Sequence, residues 1–155
     1  YAAAMFYTLI YALMTVGGFG MILLMSRQGF EAEEIADYKG LAKQQPWYAL
    51  MMLLLMFSMA GIPPLAGFYA KLTVIKAVVD VNLLAVALVA VIMSVIGAYY
   101  YLRVIKVMYF DTPDNDFVVT PSAPVRVIFS ANCLLVLALG LFPGALLSIC
   151  ATVFA

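Results

Sequence analysis

The stretch MFSMAGIPPLAGFYAKLTVIKAVVD, residues 56–80, decides the fold because it places two adjacent prolines inside an apolar run. Pro63 and Pro64 lack backbone N–H groups, and each disfavours the helical conformation of the residue before it, so Ile62 is not expected to be helical. The sequence therefore predicts a helix that breaks between Gly61 and Pro64. Inside a membrane, the backbone groups freed by such a break must be buried in protein or face a hydrated cavity.

The break is predicted to produce two half-helices. The first should end near Ala60 with free carbonyl groups and a partial negative charge, and the second should begin near Pro64, since proline is well tolerated at the first helical position. Discontinuous helices of this kind mark the ion or substrate site in many secondary transporters. Gly61, Pro63 and Pro64 are therefore candidate site residues.

Lys71 follows the break by about two helical turns. A continuous helix from Trp47 would place Lys71 about 36 Å along its axis, at the far membrane surface. A break or a tilt shortens that distance and allows the lysine to lie inside the protein, and both interpretations stay open. A buried lysine loses the hydration of its charged form, so proton exchange near neutral pH becomes feasible. Lys71 is the candidate catalytic residue, with the role of a proton relay.

The composition of the whole chain is that of a membrane protein. Of its 155 residues, 67% are hydrophobic and 10% are charged, whereas a soluble domain carries about 25% charged residues. Eight basic and eight acidic residues balance, so no basic excess indicates a nucleic-acid partner. The chain has no histidine, and Cys133 and Cys150 lie far apart in apolar surroundings. We therefore predict no metal-binding and no cofactor-binding residues.

The charged residues fall into three groups, 27–43, 71–80 and 103–126, which separate four uncharged stretches. Each stretch is long enough, at about 1.5 Å per residue, to cross a hydrocarbon core of about 30 Å. The runs are continuous rather than alternating, which argues against strands. The sequence predicts one all-α, polytopic integral membrane domain over residues 1–155. Its four transmembrane helices are expected at about 2–26, 46–79 (discontinuous near 61–64), 82–108 and 126–154, the last kinked or ended at Pro143.

The orientation follows from the basic residues of the short loops. The first and third charged groups supply Arg27, Lys39, Lys43, Arg103, Lys106 and Arg126. Loops 27–45 and 109–125 are therefore predicted to be cytoplasmic, and both ends of the chain periplasmic. Lys71 and Lys76 count against this orientation, unless one of them is not a loop residue.

Small and polar residues recur along two of the predicted helices. One stripe contains Ala4, Thr8, Tyr11, Thr15 and Gly18, and the other contains Ala87, Ala90, Ser94 and Gly97. Such stripes allow helices to approach closely, so both are interpreted as packing seams. Three consecutive tyrosines, Tyr99, Tyr100 and Tyr101, precede basic residues and are interpreted as an aromatic belt at the membrane surface.

Three runs carry a family resemblance: GIPPLAGFYAKL (61–72), DYKGLAKQQPW (37–47) and YALMTVGGFGMILLMS (11–26). With them the chain resembles the antiporter-like membrane subunits of respiratory complex I, the bacterial NADH:quinone oxidoreductase. The resemblance implies that this is the C-terminal third of a subunit built from two inverted repeats, each with a broken helix. Lys71 aligns with the lysine of the second broken helix, which the family assigns to the proton path toward the periplasm.

The resemblance also implies the setting of the chain. It would be a non-redox, proton-translocating subunit of the enzyme in the bacterial inner membrane. Its partners would be the lipid bilayer and other membrane subunits of complex I, including neighbouring antiporter-like subunits. NADH, FMN, iron–sulfur clusters and quinone would belong to other subunits. Two alternatives stay open, a subunit of a Mrp-type cation/proton antiporter and a passive membrane scaffold, and both H⁺ and Na⁺ stay open as the transported ion.

Overall fold

The described part of the protein is helical throughout its regular elements. The computed structural model describes residues 1–26, 32, 34–113 and 122–153. These ranges contain α1 (Ala2–Met25), a 3₁₀ helix (Ile35–Tyr38), α2 (Leu41–Gln44), α3 (Pro46–Ala60), α4 (Ala66–Asp80), α5 (Leu84–Phe110), α6 (Ala123–Leu141) and α7 (Pro143–Thr152). Because these ranges hold no strand, the predicted all-α class is confirmed. The predicted loop residues 27–31, 33 and 114–121 and the chain end at 154–155 lie outside the described residues.

Three of the described helices, α1, α5 and α6, are long and apolar enough to cross a membrane, by length and composition. The helices α3 and α4 have 15 residues each, which at about 1.5 Å per residue gives roughly 22 Å and is too short for either to cross alone. Together they are the predicted broken helix. The chain is a multi-pass membrane protein.

The last predicted helix divides in two. Phe142 leaves the helical conformation, with φ −127° and ψ 60°, and Pro143 becomes the first residue of α7. Proline suits that position because the N–H of the first helical residue makes no hydrogen bond within the helix. The third predicted helix is shifted by two residues at each end, to Leu84–Phe110.

Helix α1 packs against α3, α4, α6 and α7. It buries Phe6, Ile10, Met14 and Met21 on one face, a spacing that suits the 3.6-residue period of an α-helix. Seven of the ten methionines of the chain are buried: Met14, Met21, Met25, Met51, Met52, Met56 and Met108. Unbranched thioether side chains are therefore a substantial part of the core between the helices.

The two predicted packing seams are covered only in part by the described helices. On α1, Ala4, Thr8 and Tyr11 are exposed, so that stripe is not a seam between the described helices. On α5, Ala87 is buried but Ala90 is exposed. Small residues indicate where a close approach is possible, whereas the large apolar side chains that need burial decide which face turns inward.

The connection between α1 and α3 is fixed to the end of α5. The Gly40 N–H donates to the Val107 carbonyl at 3.2 Å, and the Tyr38 hydroxyl donates to the Ala32 carbonyl at 3.3 Å. Burial, together with the negative charge of Asp37, raises the pKa of Tyr38 to about 12. Residues 40 and 107 therefore lie at the same end of the helix bundle, and the turn between α4 and α5 lies at the other.

Candidate functional site

The end of α3 is closed by a glycine in the left-handed conformation. Gly61 has φ +86°, and its N–H donates to the Ser58 carbonyl at 3.0 Å while the Ile62 N–H donates to the Phe57 carbonyl at 3.0 Å. These two bonds form a Schellman motif, which suits glycine because it has no Cβ. The motif satisfies the carbonyl groups of Phe57 and Ser58. The carbonyl groups of Met59 and Ala60 need other donors.

Lys71 supplies those donors. Its Nζ lies 2.9 Å from the Met59 carbonyl oxygen and 3.3 Å from that of Ala60. The half-buried side chain folds back across Gly61, where an added Cβ would lie 3.1 Å from Lys71 Cδ. An ammonium group at the C-terminal end of a helix is also favoured by the partial negative charge there. The structure therefore holds Lys71 at the break, as in the second of the two interpretations left open above.

The second half-helix begins later than predicted. Leu65 is its N-cap, with extended backbone angles, and the helix starts at Ala66 rather than near Pro64. The Leu65 N–H donates to the Ile62 carbonyl at 3.2 Å and closes a turn. The peptide bond between the two prolines is cis. Because Pro63 and Pro64 occupy the central positions of this turn, neither is available as the first residue of α4.

Ser58 connects the two half-helices to each other and to α1. Its fully buried hydroxyl oxygen accepts a hydrogen bond from the Gly67 N–H at 3.0 Å and donates to Met14 Sδ at 3.1 Å. A Cβ on Gly67 would collide with the Ser58 carbonyl oxygen, so the half-helices touch through their backbones. On the other side, the backbone of the turn packs directly against Gly140 of α6. The contact between the half-helices is therefore buried in protein, which suits the free backbone groups of a break, while Pro63 and Pro64 of the turn itself are exposed in the described part of the chain.

Two cavities flank Lys71. The first, here called the tyrosine cavity, has a volume of about 290 Å³ and is lined by Tyr7, Tyr11 and Tyr101 as well as by Lys71 and Ser94. The rings of Tyr7 and Tyr11 are stacked, with centroids 5.9 Å apart and an interplanar angle of 11°. Tyr101, which was predicted to join an aromatic belt, lines this cavity. Its two neighbours Tyr99 and Tyr100 are exposed, as a belt would require.

The second cavity, here called the apolar cavity, also has a volume of about 290 Å³. Apart from Lys71 and Ser94, its walls are formed by Ala60, Gly61, Phe68, Leu72, Ile75, Val91, Val95 and Ala98. Of the described residues, Lys71 and Ser94 are the two that line both cavities. They therefore lie between the tyrosine cavity and the apolar cavity.

The sequence also matches a known family. A family model described as "NADH:quinone oxidoreductase/Mrp antiporter, TM" matches residues 1–139, which include the break, Lys71 and both cavities. The chain belongs to the NADH:quinone oxidoreductase/Mrp antiporter transmembrane family. The resemblance inferred from the sequence runs is thereby confirmed.

Individual relatives of this antiporter family agree. The chain is 55% identical over 149 residues to NADH-quinone oxidoreductase subunit N of Thioalkalivibrio sulfidiphilus, covering 96% of this chain and 31% of that protein. It is 56% identical over 150 residues to subunit N of Thiobacillus denitrificans, covering 97% and 31%. It therefore spans about a third of the length of these relatives. A chain in the structure of respiratory complex I from Thermus thermophilus with bound aureothin matches with a TM-score of 0.83 and 30% identity, over 95% of this chain and 34% of that one.

In this member of the antiporter family, the structure brings all four sequence-predicted site residues together: Gly61, Pro63, Pro64 and Lys71. Ser58, Ser94 and the three cavity tyrosines were not predicted as site residues. Ser58 is a lone polar residue in an apolar run, which is a weak signal, and Ser94 was interpreted as a packing residue. Within the described ranges, no group of three His, Cys, Asp or Glu side chains is placed to hold a metal ion. The polar groups at the break are an amine, backbone carbonyls and hydroxyls.

Proposed function

We propose that this chain is part of a proton-translocating membrane subunit of NADH:quinone oxidoreductase and that Lys71 relays the proton. The observation that carries the proposal is the pair of contacts from Lys71 Nζ to the Met59 and Ala60 carbonyl oxygens, at 2.9 and 3.3 Å. A charged side chain inside the membrane is energetically unfavourable, so an intramembrane lysine usually marks a functional site. Broken helices form ion sites in many transporters. The names of the relatives point to the same enzyme.

In this proposal Lys71 alternates between two states, and its contacts at the break support the first of them. The protonated amine donates to both carbonyl groups and is stabilised by the C-terminal end of α3. Loss of a proton removes the charge and weakens both contacts, which frees the side chain to exchange with water in an adjoining cavity. A change of charge elsewhere in the complex shifts the protonation equilibrium of Lys71 and so drives release or uptake of a proton there. The half-helices supply the fixed carbonyl groups and the lysine supplies the mobile charge.

The proposal extends to the setting of the chain. It acts as a non-redox part of the enzyme, beside other complex I membrane subunits that include neighbouring antiporter-like subunits. NADH, FMN, the iron–sulfur clusters and quinone bind to those other parts of the complex. We place it in the bacterial inner membrane, with loops 27–45 and 109–125 on the cytoplasmic side.

A second candidate is a subunit of a Mrp-type cation/proton antiporter. The description of the matching family model includes both kinds of protein, and a lysine at a helix break suits either. The two differ in the driving reaction, since the antiporter exchanges H⁺ for Na⁺ or K⁺ without oxidation of NADH. NADH-driven acidification of inverted vesicles that persists without Na⁺ and K⁺ favours the complex I subunit.

Replacement of Lys71 tests the relay. The measurement is made in sealed inverted vesicles that contain the intact complex. Lys71→Ala should lower the proton flux through this subunit, per NADH oxidised, by about tenfold or more, because a positioned proton-transfer group contributes at least that much. Lys76→Ala is the matched control, because Lys76 is an exposed lysine on the same helix. Unchanged pumping in a normally assembled Lys71→Ala complex would falsify the relay role.

Lys71→Arg separates the relay from a scaffold. Arginine keeps a positive charge and hydrogen-bond donors near the α3 carbonyl groups, but it does not release its proton in proteins. The relay therefore predicts that Lys71→Arg assembles normally and pumps as poorly as Lys71→Ala. A scaffold predicts that Lys71→Arg behaves like the unmodified complex.

A further inference from the structure

Ser94 lies near the middle of α5, opposite Lys71 on α4, and is half-buried. It lines the tyrosine cavity and the apolar cavity, and only Lys71 shares both walls with it among the described residues. Every other residue that lines the apolar cavity has an apolar side chain or none. A proton that crosses the partition between the cavities therefore has two side chains to use, the amine of Lys71 and the hydroxyl of Ser94.

The Ser94 hydroxyl is not engaged with the rest of the described chain. Hydroxyl groups in helices usually donate to a carbonyl group of the preceding turn, as Thr8, Thr73 and Ser148 do here at 2.8 to 3.0 Å. No hydrogen bond joins the Ser94 hydroxyl to another described residue. In a membrane helix an unused hydroxyl is unfavourable unless water or a partner group reaches it. Both its donor and its acceptor capacity are free for exchange.

We propose that Ser94 is a second proton-relay residue, which passes protons between Lys71 and water in the tyrosine cavity. The inference rests on the proposed role of Lys71. Lys71 Nζ gives a proton to a bridging water molecule, that water gives one of its hydrogens to Ser94 Oγ, and the Ser94 O–H gives its own hydrogen to a second water in the cavity. One N–H and two O–H bonds break, and three O–H bonds form. The products are a neutral amine, an intact bridging water, an intact serine hydroxyl and a hydronium ion, and the reverse sequence reloads the lysine.

The side to which the proton goes is defined by three tyrosines, Tyr7, Tyr11 and Tyr101. They line the same cavity as Lys71 and Ser94 but are absent from the walls of the apolar cavity. Water is retained where several polar groups converge, while apolar walls of similar volume stay dry. The relay therefore opens toward the tyrosine cavity, and the apolar cavity acts as its insulating side.

Removal of the hydroxyl tests the proposal. Ser94→Ala in the intact complex, in sealed inverted vesicles, should lower proton movement through this subunit by about tenfold, less than the full contribution of a positioned acid because water replaces part of the relay. Ser94→Thr keeps the hydroxyl and should restore most of the activity. Alanine is as small as serine, so a purely packing role predicts that Ser94→Ala pumps normally.

Thr15→Val is the matched control. The Thr15 hydroxyl also has no hydrogen bond to another described residue, lies on a membrane helix and lines neither cavity. Its removal should leave proton pumping unchanged. If Ser94→Ala does not assemble, Ser94→Cys, which is similar in size and a weak donor, should pump at an intermediate rate with a larger solvent isotope effect in D₂O.

The outcomes separate the two proposals. A loss in Lys71→Ala together with normal pumping in Ser94→Ala or Ser94→Cys overturns the Ser94 relay and leaves the function of Lys71 intact. Normal pumping in Lys71→Ala overturns the proposed function itself. Equal losses in Ser94→Ala and Thr15→Val also overturn the Ser94 relay, because they show that any lost hydroxyl in these helices has the same effect.

Discussion

Lys71 is the residue on which the backbone of the break depends. The Schellman motif at Gly61 leaves two carbonyl groups of α3 open, and Lys71 Nζ contacts both, at 2.9 and 3.3 Å. The sequence singles out Lys71 because it is the charged residue that directly follows the proline break. Its partners were not predictable, because the direction in which the side chain folds depends on the positive φ of Gly61. Charge spacing along a sequence carries no information on that angle.

Gly61→Ala should destabilise the subunit by about 1–2 kcal/mol, since an L side chain is unfavourable in the left-handed region. The new methyl group would also lie 3.1 Å from Lys71 Cδ and displace the lysine from the carbonyl groups. The free energy of unfolding of the purified full-length subunit in detergent measures the effect. In the control Gly18→Ala, the added Cβ meets no atom within 4 Å, and helix propensity predicts a gain of up to about 1 kcal/mol. Equal effects of the two substitutions would contradict this account.

At the scale of elements, α3 and α4 act as one interrupted helix held together by side-chain and backbone contacts. Pro63 and Pro64 predict the break reliably, because a missing N–H and a steric clash act locally. The start of α4 at Ala66 was not predictable in the same way, since it depends on how many residues the turn uses. The partner of the α1 stripe was not predictable either, because sequence spacing defines a helix face but not the helix that covers it.

Ser58→Ala should cost about 1–3 kcal/mol of unfolding free energy, because it leaves the buried Gly67 N–H without its acceptor. Thermal or denaturant unfolding of the purified subunit measures this loss. Met14→Leu keeps an apolar side chain of similar volume but removes the sulfur that accepts from Ser58, and it should cost less than about 1.5 kcal/mol. Ser130, whose hydroxyl accepts from the exposed Trp47 indole at 3.0 Å, provides the control. A loss in Ser130→Ala as large as that in Ser58→Ala would argue against a special role for the α3–α4 contact.

At the scale of the whole molecule, the helix ends sort into two groups. The hydrogen bond from Gly40 to Val107 brings the connection before α3 to the C-terminal end of α5, while the turn at Asn82 lies at the opposite end. Lys71 belongs to the break and not to a loop, which removes one of the two lysines that counted against the predicted orientation. Composition thus predicts the helical, multi-pass membrane class well, because it reflects transfer of whole segments into lipid, whereas the orientation stays a prediction.

The orientation can be tested by cysteine labelling. Lys43 and Asn82 are both exposed, at opposite ends of the bundle, and the native Cys133 and Cys150 are buried. In the full-length subunit, a membrane-impermeant maleimide should label Asn82→Cys in intact cells with a permeable outer membrane. Lys43→Cys should react only in inverted vesicles, because its loop is predicted to be cytoplasmic. The reverse labelling pattern would show that the predicted orientation is wrong.

The methionine-rich core has a mechanical consequence. Seven methionines are buried between the helices, and one of them, Met14, accepts the hydrogen bond that links α1 to Ser58 of α3. Unbranched thioether chains fill irregular gaps and adopt new rotamers more readily than branched side chains. We therefore expect small sliding movements of α3 and α4 against α1 to be accommodated by rotamer changes of these methionines rather than by voids.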